Sequence, residues 1–299
     1  MDNNKKLFLR WLNVELSGVC NLECVSCTFK SGIRTSIMTD NTLDKVFREI
    51  NTVDVKEVPW FSGGEIVTIN NKRLREICDQ IVSHRNQFSS EWLSQVHTNA
   101  TIMNEEKADI LVNSGAFSWI CISADGPNKE FFEANRIRHN KTPFPWEKLL
   151  DNIELLLKAN SLRKNPIKIS FNSMSGGKDY PGADPNFINL LEKYKFANAG
   201  YKGSYAPHQW IFGRPEGKPH RCHWQNRQIV IMSNGKYTTC CADLNGDNVF
   251  GDIDKMSLVE AMLLPFDKRY SGIGCRTCVQ NKPSRNSLVE TWAPPPRME

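Results

Sequence analysis

The chain has 299 residues and a mass of 34.1 kDa, with 40% hydrophobic and 24% charged residues. This composition is typical of a globular protein with one large domain or two smaller ones, and it excludes collagen-like and low-complexity chains. No apolar run approaches the roughly 20 residues of a membrane span, and the N-terminal residues lack the apolar core of a signal peptide. We therefore expect a cytoplasmic protein that binds no membrane. The net charge of +5 is small and the basic patches are short, so we expect no binding to nucleic acid.

Short β-like stretches alternate with amphipathic helix-like segments over the first two thirds of the chain. In chain order they are strand 11–16, helix 39–50, strand 57–61, helix 72–84, strand 92–98, helix 104–114, strand 119–124, helix 146–159, strand 167–172, helix 185–194 and strand 205–212. Strands that alternate with helices of this length predict βαβ units in an α/β fold with a parallel sheet.

The last third of the chain has a different character. Residues 207–219 are rich in Pro, Gly and polar residues, which indicates a crossing into a second unit. A β-hairpin is then predicted at 228–239 with Asn234-Gly235 as its turn, followed by a short strand at 251–253 and a helix at 257–264. We therefore predict one domain over residues 1–215, a second over 216–285 and a tail over 286–299.

Ten cysteines are the most informative feature of the composition. Clustered cysteines in a cytoplasmic chain indicate metal or redox sites rather than disulfides. The first cluster is Cys20, Cys24 and Cys27, with C-x3-C-x2-C spacing directly after the first predicted strand. Three thiolates on one loop can hold three irons of a [4Fe–4S] cluster and leave the fourth iron open. The alternative is a zinc site with a distant fourth ligand, because no fourth ligand lies nearby in sequence.

At this loop the chain resembles the radical S-adenosylmethionine (radical SAM) enzyme superfamily. In that superfamily SAM binds the open iron and is cleaved reductively to a 5′-deoxyadenosyl radical, which abstracts hydrogen from a substrate C–H bond. The resemblance implies a partial (β/α)6 barrel with the cluster at the carboxyl ends of its strands. It also implies an electron donor such as flavodoxin or ferredoxin.

Further motifs stand in the order that this superfamily shows. A Gly-Gly-Glu turn follows the second predicted strand, where relatives contact the SAM amino group, and its glycines allow close approach of the backbone to a ligand. Polar residues end the third and fourth strands, and an arginine lies where many relatives reach the SAM carboxylate. The SAM-binding set implied by the resemblance is Ser62, Gly63, Gly64, Glu65, Asn99, Ser123, Asp125 and Arg136.

Five cysteines remain in the last third of the chain. Cys222 precedes the predicted hairpin, Cys240 and Cys241 follow it, and Cys275 and Cys278 form a C-x2-C knuckle. Four thiolates from a hairpin and a knuckle can close either a zinc site or a second [4Fe–4S] cluster. The residue types alone leave both metals open.

The stretches 223–243, 250–253 and 257–258 resemble the C-terminal SPASM and twitch domains of radical SAM enzymes. The cysteine layout is similar to that of 2-deoxy-scyllo-inosamine dehydrogenase-type enzymes. This resemblance implies an auxiliary [4Fe–4S] cluster with four thiolate ligands. The implied ligands are Cys222, Cys240, Cys275 and Cys278. Cys241 is the alternative to Cys240, because adjacent residues at a strand end point in opposite directions.

Three residues are candidates for the reaction itself. Cys121 shares a strand face with Ser123, which makes it either a small core residue or a hydrogen-atom donor to a substrate radical. His208 and Arg214 lie near the predicted domain junction, where either can take the proton of an oxidised alcohol. Strand alternation also predicts a polar barrel lumen, which suits a hydrophilic substrate. Its polar residues are Asn13, Glu15, His97, Asn99, Lys168, Ser170 and Asn172.

The sequence therefore predicts a radical SAM oxidoreductase with a small-molecule or peptide substrate. Oxidation of a polar metabolite with the auxiliary cluster as electron acceptor is the leading hypothesis. We expect a metabolite because the predicted barrel begins near residue 8, with no peptide-recognition domain before it. The alternatives are a radical epimerase with Cys121 as hydrogen donor, a peptide-modifying maturase, and a zinc-stabilised binding protein without catalytic activity.

Overall fold

The computed structural model describes residues 7–9, 11–25, 27, 35–55, 59–85, 94–124, 128–172, 184–194, 228–241 and 243–269. The strands are β1 (Leu7–Leu9), β2 (Trp11–Val14), β3 (Val53–Val55), β4 (Trp60–Phe61), β5 (Gln95–Thr98), β6 (Trp119–Ser123), β7 (Lys168–Asn172), β8 (Gln228–Ile231), β9 (Lys236–Thr238) and β10 (Gly251–Asp252). The helices are α1 (Asp40–Ile50), α2 (Asn71–Arg85), α3 (Glu105–Asn113), α4 (Lys129–Asn135), α5 (Trp146–Ser161), α6 (Pro185–Lys193), α7 (Leu258–Leu263) and α8 (Phe266–Arg269).

The main sheet has the strand order β10-β9-β8-β2-β4-β5-β6-β7. Strands β2, β4, β5, β6 and β7 pair in parallel, and a helix-containing crossover joins each to the next. The predicted α/β fold with a parallel sheet, the core of a partial barrel, is therefore confirmed. The predicted strand 205–212 lies outside the described residues.

Two of the helices begin at a residue whose side chain caps the helix. The Thr39 side chain accepts a hydrogen bond from the backbone N–H of Thr42 at the start of α1, and Asn104 does the same for Lys107 in α3. Leu43 and Phe47, four residues apart on α1, are buried on one face as the helical spacing predicted. In the part of the chain that the structure describes, no helix is long and apolar enough to cross a lipid bilayer.

The two faces of the parallel sheet differ in chemistry. Paired residues on neighbouring strands stand side by side on one face, and alternate residues of a strand share a face. One face packs against the helices in the hydrophobic core. Its buried residues include Leu12, Val14, Phe61, Val96, Ile120, Ile122, Ile169 and Phe171. We call the opposite face the lumen face.

The lumen face carries side chains in rows that cross the strands. The row that we call the lower row runs from β2 to β7 near the amino ends of the strands. It consists of Asn13, Trp60, Gln95, Trp119 and Lys168. The next row towards the carboxyl ends, which we call the middle row, consists of His97, Cys121 and Ser170.

Strand β8 extends the barrel sheet, although the sequence analysis assigned it to a second domain. It pairs in parallel with β2 over its whole length, from Trp11 opposite Gln228 to Val14 opposite Ile231. The predicted hairpin is confirmed, since β9 returns antiparallel to β8 and Gly235 in the turn has φ of +77°. The sequence analysis missed β1, β3, α4 and α8, which are short elements.

Candidate active site

The Gly-Gly-Glu segment lies against the end of β2. Gly63 and Gly64 have φ of +102° and +52°, a region that favours glycine. A Cβ on Gly63 would lie 2.7 Å from Glu15 Oε2, and one on Gly64 would overlap the carbonyl oxygen of Ser17. Both positions therefore require glycine for their conformation and for the space between the two segments.

Glu65 is a buried carboxylate that joins the ends of β4 and β5. It accepts hydrogen bonds from Thr98 Oγ1 at 2.6 Å, from the Asn99 backbone N–H at 2.5 Å and from the Val67 backbone N–H at 3.1 Å. Burial raises the pKa of Glu65, whereas these hydrogen bonds and the charge of Arg136 act in the opposite direction. The carboxylate is thus held in one orientation next to Asn99, another member of the predicted SAM-binding set.

The first cysteine cluster lies on the loop after β2. Cys20, Cys24 and Cys27 are each half-buried. The Arg136 guanidinium donates to Cys24 Sγ at 3.4 Å, and the Asn99 amide donates to Cys20 Sγ at 3.9 Å. Two members of the predicted SAM-binding set, Arg136 and Asn99, therefore lie beside the thiols.

The donor set fits the predicted iron–sulfur cluster. Burial, first of all, and the negative charges of Glu65, Cys24 and Cys27 together raise the pKa of the Cys20 thiol to about 12. Deprotonation of these thiols therefore requires a positive charge beside them. A bound metal ion supplies that charge and displaces the thiol protons. Among the described residues, no three His, Cys, Asp or Glu side chains are placed together around one metal ion. The fit rests on the spacing of the three thiols and on the donors to their sulfurs.

The middle row places neutral groups below the SAM-binding residues. Cys121 is 2% exposed and contacts Ser170 and Gln95, and its burial raises the pKa of the thiol to about 11. Burial lowers the pKa of His97 to about 4, and its Nε2 accepts a hydrogen bond from Gln95 Nε2 at 2.9 Å. Both groups are uncharged at neutral pH. Strand alternation could have identified Gln95, which the sequence analysis left out.

Cys240 and Cys241, two of the five cysteines in the last third of the chain, lie at the amino ends of the lumen strands. Val230 pairs with Thr238 in the hairpin, so β9 runs back towards the amino end of β8 and carries Cys240 and Cys241 with it. The Cys241 thiol contacts Cys240 and the amide of Gln228, the first residue of β8. The loop with Cys20 follows the carboxyl end of β2, so the two cysteine loops lie at opposite ends of the strands.

Asp243 fixes the loop after Cys241, a role that the sequence analysis missed. Its carboxylate accepts hydrogen bonds from the backbone N–H groups of Asp247 at 2.8 Å and Asn248 at 2.9 Å. Its own N–H donates to the Cys240 carbonyl at 2.9 Å. Several predicted site residues lie outside the described part of the chain. They are Asp125, His208, Arg214, Cys222, Cys275 and Cys278.

Two protein-family models match the chain. Residues 14–184 match the Radical SAM superfamily, and residues 222–278 match the SPASM iron–sulfur cluster-binding domain. No curated protein matches the chain significantly.

Solved structures of three proteins are similar in fold to the chain. One is anSMEcpe with bound AdoMet, at a TM-score of 0.56 and 19% identity, covering 88% of this chain and 82% of that one. A second is BtrN with AdoMet and 2-DOIA, at 0.53 and 15% identity, covering 92% and 94%. The third is Streptococcus suis SuiB bound to precursor peptide SuiA, at 0.58 and 14% identity, covering 91% and 70%. The two matches imply a [4Fe–4S] cluster, SAM and auxiliary iron–sulfur clusters as cofactors. The chain belongs to the radical SAM superfamily and is a radical SAM enzyme with a SPASM domain.

Proposed function

We propose that the protein is a radical SAM oxidoreductase that oxidises a polar metabolite, with its auxiliary cluster as the electron acceptor. The observation that carries this proposal is the polar lumen between the two cysteine loops. Glu65, Asn99 and Arg136 lie together at one end, and Cys240 and Cys241 lie at the other. A substrate in the lumen would lie between the sites of hydrogen abstraction and electron transfer.

The residues of this chain have separate tasks in that reaction. The bound cofactors supply a hydrogen-abstracting radical at one end of the lumen and a one-electron acceptor at the other. Oxidation of an alcohol to a carbonyl removes one hydrogen atom, one electron and one proton. His208 and Arg214 are the proposed proton acceptors. The apolar core behind the sheet keeps water from the side of the lumen that the helices cover.

Replacement of one auxiliary ligand tests this proposal. The substrate is first sought by screening sugars, cyclitols and peptides for substrate-dependent formation of 5′-deoxyadenosine. With the substrate in hand, Cys275→Ala should still release 5′-deoxyadenosine but should form no oxidised product. Cys78→Ala, a change in α2 outside both clusters, is the matched control and should keep both activities. Undiminished product from the Cys275 variant would overturn the proposal.

Redox-neutral epimerisation is a second candidate function, and the state of Cys121 favours it. A hydrogen-atom donor must keep its S–H bond, and the raised pKa of about 11 keeps this buried thiol protonated. In D2O, the wild-type enzyme would then introduce deuterium into the product, and Cys121→Ala would not. Undiminished deuterium incorporation in that variant would exclude Cys121 as the donor.

A peptide is the second candidate substrate class. Two of the similar structures hold peptides: anSMEcpe with Kp18Cys peptide and SuiB with its precursor peptide. The substrate screen described above separates the two classes, because only the true substrate class stimulates formation of 5′-deoxyadenosine.

A further inference from the structure

Glu65 and Lys107 hold one short helical turn that directly follows the Gly-Gly-Glu segment. The turn is a 3₁₀ helix over Ile66–Thr68, and Glu65 is its N-cap. The Glu65 carboxylate accepts a hydrogen bond from the Val67 backbone N–H at 3.1 Å, and Lys107 Nζ donates to the carbonyl of the same residue. Val67 is therefore bound on both sides, by an acidic group at its N–H and by a basic group at its carbonyl.

The position of Lys107 is unfavourable for a lysine unless its charge has a partner. Lys107 is 8% exposed, and a buried ammonium group loses its hydration. The residue also lies in the first turn of α3, where the helix dipole disfavours a positive charge. Burial lowers the pKa of Lys107, and the negative charge of Glu65 acts in the opposite direction. The Val67 carbonyl and the charge of Glu65 therefore offset the cost of burying this lysine.

Glu65 connects this turn to the predicted SAM site. Its carboxylate accepts a hydrogen bond from the Asn99 backbone N–H at 2.5 Å, and its own N–H donates to the Val19 carbonyl at 2.7 Å. Val19 lies on the loop that carries the first cysteine cluster. The conformation of the turn therefore determines how Glu65 and the Gly-Gly-Glu backbone meet the cysteine loop. Lys107 is separated from Glu65 by one residue of the turn, Val67.

We infer that Lys107 is a positioning residue for SAM binding, which holds the turn after the Gly-Gly-Glu segment and thereby fixes the Glu65 carboxylate. Its own backbone is fixed, because its N–H donates to Asn104 Oδ1 at 2.8 Å in the cap of α3. Without Lys107, the Val67 carbonyl would lose its donor, and the buried charge of Glu65 would lose a compensating positive charge. This role rests on the predicted contact of the Gly-Gly-Glu segment with SAM. SAM binding precedes both oxidation and epimerisation, so the role does not depend on the proposed reaction.

The SAM affinity of Lys107→Met tests this role. Dissociation constants are measured by equilibrium dialysis of radiolabelled SAM against the reconstituted protein without reductant. We expect Lys107→Met to weaken SAM binding by about tenfold, because a hydrogen bond from a charged group and a positive charge near Glu65 are both lost. Lys158→Met, the same change at an exposed residue of α5, is the matched control and should keep the wild-type affinity. Unchanged affinity in Lys107→Met would overturn the inference.

A second pair of variants, with Glu65→Gln, tests whether Lys107 acts through Glu65. Glu65→Gln should itself weaken SAM binding, and Lys107→Met should then weaken it further by less than about twofold. The double variant leaves neither charge buried without its partner, so the comparison can still be made if Lys107→Met alone does not fold. The full tenfold loss in the Glu65→Gln background, or wild-type affinity in Glu65→Gln itself, would overturn the inference.

Leu111→Ala separates positioning from a general loss of stability. Leu111 is a fully buried residue of α3, the helix that carries Lys107, so this variant should lower the melting temperature. We expect it to keep the SAM affinity of the wild type. An equal loss of SAM affinity in Leu111→Ala and Lys107→Met would show that any weakening of α3 has this effect, and it would overturn the specific role of Lys107. Because no turnover occurs in these experiments, failure of the proposed oxidation would leave their results unchanged.

Discussion

His97 shows how burial selects one protonation state at the centre of the lumen. Burial lowers the pKa of its imidazole to about 4, and Gln95 Nε2 at 2.9 Å requires an acceptor at His97 Nε2. A protonated ring would place two donors against each other. The imidazole therefore stays neutral and can accept a hydrogen bond in the lumen.

We expect His97 to make the protein less stable in mild acid. A histidine in the unfolded chain titrates near pH 6.5, so between pH 6.5 and about 4 the unfolded state binds a proton that the native state does not. Stability contributed by the neutral ring is present above pH 6.5 and is lost as the pH falls, by about 2 kcal/mol at pH 5. The fall in melting temperature between pH 7 and pH 5 should be smaller for His97→Gln than for the wild type. Equal falls in the two proteins would contradict this prediction.

At the scale of elements, local sequence signals predicted the helices well and the sheet only in part. Thr39 and Asn104 cap the helices that were expected to follow them, and the hairpin turn at Gly235 forms where glycine allows a positive φ. The pairing of β8 with β2 was not predictable in this way. It joins residues more than 200 positions apart, and only the folded chain brings them together.

The candidate site shows the same division between local and distant contacts. The spacing of Cys20, Cys24 and Cys27 and the alternation of the strands are local, so the sequence was sufficient to predict the loop and the polar lumen face. The contact between Glu15 and Ser233 is distant and was missed. Ser233 donates to Glu15 Oε1 from its backbone N–H at 3.1 Å and from its hydroxyl at 2.8 Å. This contact connects the hairpin to the end of β2, next to the Gly-Gly-Glu segment.

Gly18 provides a test of this connection. A Cβ at Gly18 would lie 2.8 Å from Ser233 Oγ and 3.2 Å from Glu15 Oε1. We expect Gly18→Ala to destabilise the protein by about 1–3 kcal/mol through overpacking and to weaken SAM binding. Ser233→Ala removes the nearest obstructing atom, so the double variant should be less destabilised than the sum of the two single variants. Melting temperature and SAM affinity are measured for all four proteins, and additive effects would contradict the proposed contact.

At the scale of the whole molecule, one continuous sheet relates the two cysteine loops. Strand β2 ends at the loop with Cys20, and its neighbour β8 leads through the hairpin to Cys240 and Cys241. Because β2 and β8 are paired along their whole length, the separation of the two loops is set by the sheet. A cofactor at each end would thus keep a fixed distance across the lumen.

Iron analysis of the intact protein tests whether both ends carry a cluster and which hairpin cysteine is a ligand. The anaerobically reconstituted chain should contain about 8 Fe with matching sulfide and no zinc, as expected for two [4Fe–4S] clusters. Cys240 is the proposed ligand, and the adjacent Cys241 is the alternative. Cys240→Ala should therefore fall to about 4 Fe, whereas Cys241→Ala should keep about 8. The reverse result would make Cys241 the ligand. A wild-type protein with about 4 Fe and one zinc would make the second site structural and would favour epimerisation over oxidation.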